Sequence, residues 1–236
     1  MSKPFKFKQF AIKQERSLMK VGTDGILLGA WANVDAPQSI LDIGTGTGLI
    51  ALMMAQRYPQ ARVDAIEIDE ASALEAIDNA KNSPFTNRVN VIHTSLQKFT
   101  EETSNRYDLI VSNPPFFNTG LARNAARHTR TLTHEILISC TKKLLHKKGQ
   151  FCLILPKKEG EDFIELAKNH HLYLAEKVNV KPKPSKPIER LLLRFSNANP
   201  HEIIESELII EEAGTQRIYT KGYVNLTKEF YLSERN

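Results

Sequence analysis

The sequence predicts an α/β protein in which a mostly parallel sheet is covered by helices on both faces. Short apolar runs of strand length recur along the chain, at residues 39–43, 62–66, 89–93, 107–112 and 149–155. Stretches with the apolar spacing of helices lie between them, at 49–58, 70–81 and 132–145. Strands that alternate with helices form parallel sheets, because each helix returns the chain to the other end of the sheet.

The elements after residue 150 predict an antiparallel strand at one edge of this sheet. Residues 159–169 have helical spacing, and two strand-like runs follow at 172–180 and 188–195. The segment between them, 181–187, contains three prolines and can be neither a helix nor a central strand. Two strands joined by a loop without a helix are expected to run in opposite directions.

The two ends of the chain are predicted to extend this core and not to form separate domains. We expect one domain with three parts: an N-terminal extension (1–34), a core (35–198) and a C-terminal extension (199–236). The chain contains no internal repeat and no low-complexity linker that would separate a second domain.

Both extensions contain short predicted elements. The first residues alternate phenylalanine with lysine, which predicts a half-exposed strand. Thr23 and Asp24 precede an apolar stretch at 25–33 and are predicted to provide the N-cap of a helix. Near the other end, residues 207–210 predict a strand and 226–232 a closing helical turn.

Composition indicates a protein of a reducing compartment. With 41% hydrophobic residues, the 236-residue chain can bury a sizeable core. Cys140 and Cys152 lie in separate apolar segments, which favours free thiols over a disulfide, and the histidine and cysteine spacing predicts no metal site. The first residues lack the apolar segment of a signal peptide, and the longest apolar run, 49–55, is too short for a bilayer. We therefore expect a cytoplasmic protein without membrane association.

The charge distribution suggests a polyanionic partner. Net charge is +5, and basic residues concentrate at 3–20, 123–130 and 177–194, whereas glutamates gather at 202–212. A segregated basic surface suits RNA. The alternative is an ordinary basic protein whose lysines are only solvated, and charge alone leaves both interpretations open.

A glycine-rich turn, Leu-Asp-Ile-Gly-Thr-Gly-Thr-Gly at 41–48, joins a predicted strand to a predicted helix. Gly44, Gly46 and Gly48 permit positive φ and a close approach of the backbone to a ligand. In dinucleotide sites the third glycine follows the second by three residues, whereas here it follows by two. The turn instead resembles the cofactor loop of the Rossmann-like class I S-adenosylmethionine (SAM) methyltransferases. Asp42 is expected to help accept hydrogen bonds from the methionine ammonium.

An acidic residue ends the next predicted strand, where a ribose would be bound. Glu67 is expected to accept hydrogen bonds from both ribose hydroxyls, whereas Asp69 is interpreted as a helix N-cap. Ile68, between them, is a candidate to pack on the adenine. Many class I enzymes carry an acid or amide after the third strand for the adenine amino group. This chain has Thr-Ser-Leu-Gln at 94–97, which leaves Ser95 or backbone groups as candidates.

The tetrapeptide Asn113-Pro114-Pro115-Phe116 follows the predicted strand 107–112. Open α/β sheets place their chemistry at the carboxyl ends of central strands. The Asn113 amide oxygen and the Pro114 carbonyl can each accept an N–H from a conjugated amine and so orient its weak lone pair. Both prolines stiffen the turn, and Phe116 offers a ring on which a flipped base can stack. A turn without function is the alternative, but the preceding glycine loop favours catalysis.

A long, arginine-rich connection follows this tetrapeptide. Long loops at this face of a sheet are commonly functional. Arg123 and Arg127 are predicted to hold phosphates or stack on bases, with His128 as a further RNA contact. The second candidate RNA-binding group consists of the lysines in the proline-rich segment, Lys181, Lys183 and Lys186.

Two further segments narrow the resemblance. Residues 19–31, which include Gly-Thr-Asp at 22–24, and the ending 219–232 are similar to those of bacterial tRNA1(Val) (adenine(37)-N6)-methyltransferases. The resemblance spans nearly the whole chain. It implies SAM as methyl donor, an adenosine beside the anticodon of a valine tRNA as substrate, and Lys20, Thr23 and Asp24 lying over the cofactor. No obligate protein partner is predicted.

The sequence is also compatible with other functions. Relatives that methylate guanine-N2 of ribosomal RNA, or a glutamine amide of a release factor, use a similar tetrapeptide on a similarly conjugated nitrogen. A non-catalytic RNA-binding module that retains the fold is a third class. The intact Asn113 and the intact glycines argue against that last alternative.

Overall fold

The computed structural model describes residues 3–114 and 132–232. Its main body is an eight-stranded sheet, accompanied by a two-stranded sheet near the N-terminus. The strands are β1 (Phe5–Lys6), β2 (Ala11–Ile12), β3 (Ser39–Ile43), β4 (Arg62–Glu67), β5 (Val89–His93), β6 (Tyr107–Ser112), β7 (Leu145–Pro156), β8 (Tyr173–Lys181), β9 (Arg190–Ser196) and β10 (Ile204–Ile209). The helices are α1 (Thr23–Trp31), α2 (Leu49–Arg57), α3 (Glu70–Lys81), α4 (Leu96–Glu102), α5 (His134–Leu144), α6 (Lys157–Asn169) and α7 (Lys221–Thr227).

The order of the strands confirms the predicted α/β class. The large sheet runs β10–β8–β9–β7–β6–β3–β4–β5. Only β9 is antiparallel to its neighbours, β7 and β8, and every other pair in this sheet is parallel. The expected antiparallel pair is therefore present as β8 and β9.

The edge of the sheet differs from the expectation, because β10 lies outside β8. Its glutamates face the lysines of β8: Glu205 pairs with Lys177 at 2.7 Å and Glu207 with Lys181 at 2.7 Å. Opposite charges on adjacent strands favour this pairing. The antiparallel strand β9 consequently lies inside the sheet.

Several predicted element boundaries were wrong near the ends of the chain. The first strand is a hairpin of β1 and β2. Thr23 and Asp24 do not cap α1 from outside; the N-cap is Gly22, which has no side chain to accept a hydrogen bond. The closing helix is α7, which precedes most of the predicted turn at 226–232. Thr220 is its N-cap, because the Thr220 hydroxyl accepts from the Tyr223 N–H at 3.2 Å.

The core consists of two apolar layers, one on each face of the sheet. Alternate residues of β7 point to opposite layers, with Ile154 in one and Leu153 in the other. The first layer contains residues of α1 and α2, and the second contains residues of α5 and α6. This arrangement leaves the carboxyl edge of the parallel strands as the place where polar loops meet.

The two cysteines are buried and free, as predicted. Burial raises the pKa of Cys152 to about 12, so this thiol is inert as a nucleophile. Among the helices of the described ranges, none is long and apolar enough to cross a membrane.

Candidate active site

The ends of β3 and β6 bring the glycine loop and Asn113 to the same edge. Ile43 lies opposite Ser112, and the Ser112 hydroxyl donates to the Ile43 carbonyl at 3.0 Å. The other neighbour of β3 is β4, so the chain order reverses at this point. Open α/β sheets bind ligands outside the carboxyl ends of their strands at such a switch point.

The glycine loop has the predicted conformation. Gly44, Gly46 and Gly48 adopt φ values of +71°, +56° and +83°. A Cβ on Gly44 would meet nothing within 4 Å, and one on Gly46 would meet only the Ser17 Oγ at 3.8 Å. The space beside these two glycines can therefore receive a ligand. Gly48 instead packs on α3, since a Cβ at this position would lie 3.4 Å from the Ala76 Cβ.

Asp42 lies buried beneath this loop. Its Oδ2 accepts hydrogen bonds from the Thr45 hydroxyl at 2.6 Å and the Ala51 N–H at 3.1 Å. Its Oδ1 is buried and has no partner among residues 3–114 and 132–232. Burial raises the pKa of Asp42 to about 7, although the two hydrogen bonds oppose the shift. An unpartnered carboxylate oxygen beside an open loop fits a cationic group such as an ammonium.

Glu67 is engaged by backbone amides. Its Oε2 accepts from the Gly46 N–H at 2.8 Å, and its Oε1 accepts from the Ile68 and Asp69 N–H groups at 2.8 and 2.9 Å. A carboxylate offers about four acceptor sites, so about one remains for a ligand hydroxyl. The bidentate contact to a ribose stays a prediction, and its second bond, on Oε1, requires the N–H of Ile68 or Asp69 to give up its hydrogen bond.

The neighbours of Glu67 are placed in part as expected. Asp69 is the N-cap of α3, because its carboxylate accepts from the Ser72 N–H at 2.9 Å. Ile68 is 41% exposed, which leaves its side chain available for an adenine. Ser95 caps α4 by accepting from the Lys98 N–H at 3.2 Å, and its own hydroxyl hydrogen can still be donated.

Asn113 ends β6 with an unused acceptor. Its Oδ1 is buried and makes no hydrogen bond within the part of the chain that the structure describes. Pro114 is buried beside it. The remaining predicted residues of this region lie outside the described residues: Pro115, Phe116, Arg123, Arg127 and His128.

The N-terminal extension is fastened to α3 by two polar residues that the sequence analysis missed. Glu75 accepts three backbone N–H groups of residues 15–17. Asn79 donates to the carbonyls of Lys13 and Thr47 at 2.9 Å each, and so joins the extension to the glycine loop. Ser72, Glu75 and Asn79 lie on one face of α3. Polar residues at the spacing expected for a buried helix face were the signal in the sequence that could have revealed these contacts.

The residues predicted to lie over the cofactor are divided between two environments. Asp24, in the first turn of α1, accepts from the Arg190 side chain at 2.9 Å. Thr23 precedes it in the same turn, whereas Lys20 is exposed in the segment before the helix. The structure thus places Asp24 toward β9.

The lysines of the proline-rich segment also differ from one another. Lys181 pairs with Glu207 at 2.7 Å, and Lys183 with Glu211 at 3.6 Å. Lys186 is exposed. Within the described ranges there is no group of three or more His, Cys, Asp or Glu side chains that could hold a metal ion.

The fold and this site define a methyltransferase. The family described as methyltransferase small domain matches residues 21–177. A predicted O-methyltransferase from Agrobacterium tumefaciens has a similar fold, with a TM-score of 0.69 and 22% identity over 88% of this chain and 96% of its own.

Relatives that match nearly the whole chain indicate a more specific family. The tRNA1(Val) (adenine(37)-N6)-methyltransferase of Flavobacterium johnsoniae is 45% identical over 97% of this chain and 99% of its own. The protein of that name from Proteus mirabilis is 42% identical over 97% of this chain and 93% of its own. The chain belongs to the tRNA1(Val) (adenine(37)-N6)-methyltransferase family.

Proposed function

We propose that this chain transfers a methyl group from SAM to the exocyclic N6 of an adenosine in tRNA, namely adenosine 37 beside the anticodon of a valine tRNA. One observation carries the proposal. The Asn113 Oδ1 is a buried acceptor without a described partner, and it ends a central strand beside the open glycine loop. The names of the full-length relatives support the choice of substrate.

The residues around the loop fit SAM. When bound, SAM supplies an electrophilic methyl group on a positively charged sulfur. Asp42 would receive the methionine ammonium on its free oxygen, and the open face of Gly44 and Gly46 would admit the ligand. Glu67 would accept from the ribose, with Ile68 against the adenine. Ser95 and Lys20 complete the proposed cofactor-binding group; Asp24 and Thr23 are left out of it, because the Asp24 carboxylate pairs with Arg190 and Thr23 lies in the same turn.

The chemistry assigned to the chain is positioning of a poor nucleophile. The lone pair of an adenine amine is delocalised into the ring, so the amine must be aimed more than it must be deprotonated in advance. The Asn113 Oδ1 and the Pro114 carbonyl would each accept one of its N–H bonds. Both acceptors then stabilise the positive charge that develops on the nitrogen. The excess proton leaves to solvent after transfer. Phe116 is proposed to stack on the flipped base.

RNA binding is proposed for the basic segments. Arg123, Arg127 and His128 would contact the RNA near the target base. Of the three proline-segment lysines, Lys186 is the best candidate, because Lys181 and Lys183 already form ion pairs. The proposed tRNA substrate supports a cytoplasmic location.

Transfer to defined RNA tests this function. Purified protein is incubated with SAM and a valine tRNA transcript, and the nucleosides are analysed by mass spectrometry. We expect N6-methyladenosine, and none when adenosine 37 is replaced by guanosine. Ribosomal RNA and a release factor serve as competing substrates. Methylation of guanine-N2 or of a glutamine amide, or no product on any substrate despite SAM binding, would reject the proposal in favour of another function.

A further inference from the structure

A cavity lies at the carboxyl edge of the sheet, beside the first turn of α1. Its volume is about 290 Å³, at the lower end of the range for small-ligand pockets. Nine of its twelve lining residues follow residue 177, where the match to the methyltransferase domain ends. The cavity is therefore formed mainly by segments that follow the matched domain in the chain. Additions at the substrate edge of such a domain are well placed to recognise the substrate.

One wall of the cavity is a stacked aromatic array. The rings of Tyr219 and Tyr223 are parallel within 18°, with centroids 4.7 Å apart. The Arg217 guanidinium lies 5.7 Å from the centroid of Tyr219. Tyrosine rings and arginine planes are the side-chain surfaces on which single-stranded RNA bases stack. This wall favours a flat, aromatic ligand.

The polar groups of the cavity offer both hydrogen-bond donors and acceptors to a flat ligand. Asp24 is paired with Arg190 at 2.9 Å, and Glu211 with Arg217 at 2.8 Å. Each pair presents a carboxylate that accepts and a guanidinium that donates. A nucleobase edge carries both donors and acceptors and can use both members of a pair, whereas an ionised phosphate carries acceptors only. The combination fits a base better than an anion.

The strand register puts the cavity within reach of the catalytic tetrapeptide. Arg190 begins β9 opposite Pro156, the last residue of β7. Ser112, just before Asn113, is level with Leu153 and Leu193 on the next two strands. Arg190 is thus two strands across and three residues along from Ser112, which is about 14 Å at ordinary strand spacings. Nucleotides adjacent in one RNA strand can span such a separation.

Two contacts fix the turn of the C-terminal extension that lines the cavity, one within the extension and one from the proline-rich segment. Glu211 and Tyr219 form an isolated antiparallel bridge, and the Lys183 ammonium donates to the Gly214 carbonyl at 2.8 Å. These bonds fix both sides of the turn that carries Arg217. A preformed wall lowers the conformational entropy that a ligand must remove on binding.

We propose that this cavity binds the base of a nucleotide next to the target adenosine in the same RNA strand. The inference rests on the proposed function, since it assumes an RNA substrate. It assigns to the C-terminal extension a role in reading the sequence around the target. Tyr219 is the residue whose ring contacts that neighbouring base, which would take the place of the Arg217 guanidinium over the ring.

The test combines a change in the protein with a change in the RNA. The substrates are an anticodon stem-loop of valine tRNA and two copies that lack either the base on the 5′ side or the base on the 3′ side of the target. The proteins are the wild type, Tyr219→Ala, and Tyr219→Phe, which keeps the ring. Ile218→Ala is the matched control, because Ile218 is exposed on the same turn but does not line the cavity. The value of kcat/KM is measured for each protein on each RNA, and SAM affinity is measured for each protein.

Tyr219→Ala should lower kcat/KM on the intact stem-loop about tenfold, as for the loss of one stacked base, with SAM affinity unchanged. Tyr219→Phe and Ile218→Ala should stay near the wild type. For the wild type, kcat/KM should be lower by a similar factor on one of the two RNAs that lack a base. For Tyr219→Ala, kcat/KM on that RNA should be no lower than on the intact stem-loop. The inference would be overturned if the loss from Tyr219→Ala and the loss from the missing base multiplied when combined, or if Tyr219→Ala had normal kcat/KM on the intact stem-loop.

Two further measurements distinguish a nucleoside site from a site for a base in RNA, and failure of the proposed function from failure of this inference alone. A free nucleoside is a second source of a base, so adenosine and guanosine are titrated alone by calorimetry. Binding that Tyr219→Ala abolishes would make the cavity a nucleoside site and overturn its assignment to the RNA strand. If the wild type methylates no tRNA at all, the proposed function fails and this inference with it. If it does methylate tRNA but the two losses multiply, only this inference fails.

Discussion

The Glu75 carboxylate accepts a hydrogen bond from the backbone N–H of Ser17 at 2.8 Å, across 58 residues of sequence. The same carboxylate accepts from the N–H groups of Glu15 and Arg16 at 2.6 and 3.1 Å. A buried carboxylate surrounded by backbone donors makes strong, charge-assisted hydrogen bonds. Because Ser17 is the residue nearest the open side of Gly46, this cluster sets one wall of the candidate cofactor site.

Replacement of Glu75 should therefore loosen the cofactor site from a distance. Glu75→Ala leaves three N–H groups without their charged acceptor, and we expect the free energy of unfolding to fall by about 3 kcal/mol. SAM affinity should fall at least about tenfold, as measured by calorimetry. Amide hydrogen exchange should increase in residues 13–21.

A control on the same helix separates this effect from general destabilisation. Glu70 is exposed in the first turn of α3, and Glu70→Ala should leave exchange in the extension unchanged. Glu75→Gln keeps the shape and one acceptor oxygen, so its losses should be smaller. If Glu75→Ala binds SAM normally while its extension exchanges faster, the extension is no part of the cofactor site.

Asp42 should make SAM binding depend on pH. Burial raises its pKa to about 7, so below that pH the folded chain holds a proton on the carboxyl. A cationic ammonium requires the ionised form, and affinity should fall by up to about tenfold per pH unit below about 7. Asp42→Asn removes this titration and also weakens binding near neutral pH. The measurement is the SAM affinity of both proteins between about pH 5.5 and 7.5, and parallel profiles would contradict the assignment.

The same group should affect stability without ligand. Its pKa is raised above the unfolded value, so between about pH 4 and 7 the folded chain binds more protons than the unfolded chain. The free energy of unfolding contributed by Asp42 therefore decreases as pH rises through this window. Denaturant titrations should show the wild type losing stability relative to Asp42→Asn as pH rises from about 4 to 7. A difference between the two proteins that stays constant over this window would contradict the raised pKa.

The sequence could predict the parts of the site that depend on local geometry. The glycine loop is an example, because the φ values of Gly44, Gly46 and Gly48 follow from a short turn between a strand and a helix. The position of Asn113 at the edge of the sheet follows similarly from the end of a strand. The N-cap at Asp69 needed only its own neighbours in the chain.

Features that depend on distant partners were not predictable in this way. In the sequence Glu75 is indistinguishable from an ordinary polar residue of a helix, because its partners are 58 to 60 residues away. The helix α4 was missed because it has seven residues and buries only Leu96 and Phe99. A strand was predicted at 207–210 and β10 overlaps it, but its place at the edge of the sheet was not predictable because it depends on the lysines of β8.

RNA binding should depend on the basic residues unequally. Arg123→Ala with Arg127→Ala should weaken tRNA binding and flatten its salt dependence by about one unit of slope per lost phosphate contact. Lys186→Ala should give a smaller change in the same direction. Lys181→Ala should change the slope little, because Lys181 already pairs with Glu207 at 2.7 Å. Filter binding over a salt series measures these slopes.

A distant lysine provides the reference for these slopes. Lys98 is exposed on α4 and pairs with Glu102 within the helix at 3.8 Å, and Lys98→Ala should leave tRNA binding unchanged. SAM affinity should be unchanged in the arginine variant. Normal tRNA binding by that variant throughout the salt series would show that the arginine-rich connection does not contact the RNA.

Asn113 should be required for methyl transfer and not for SAM binding. Its free Oδ1 is the acceptor that aims the target amine, so Asn113→Ala leaves the amine misdirected and its developing positive charge less stabilised. We expect the single-turnover rate on tRNA to fall at least about a hundredfold, the range for loss of one stabilising group. Asn113→Asp retains an acceptor at this position and should be less impaired.

SAM affinity distinguishes this role from a structural one. It should be nearly preserved in both Asn113 variants, because the side chain is assigned to the transferred methyl and not to the methionine tail. Asn105→Ala is the matched control, since Asn105 is exposed in the loop before β6 and should transfer at the normal rate. If Asn113→Ala also transfers at a near-normal rate, the tetrapeptide is only a strand-ending turn, and the assignment of amine methylation to this edge of the sheet fails with it.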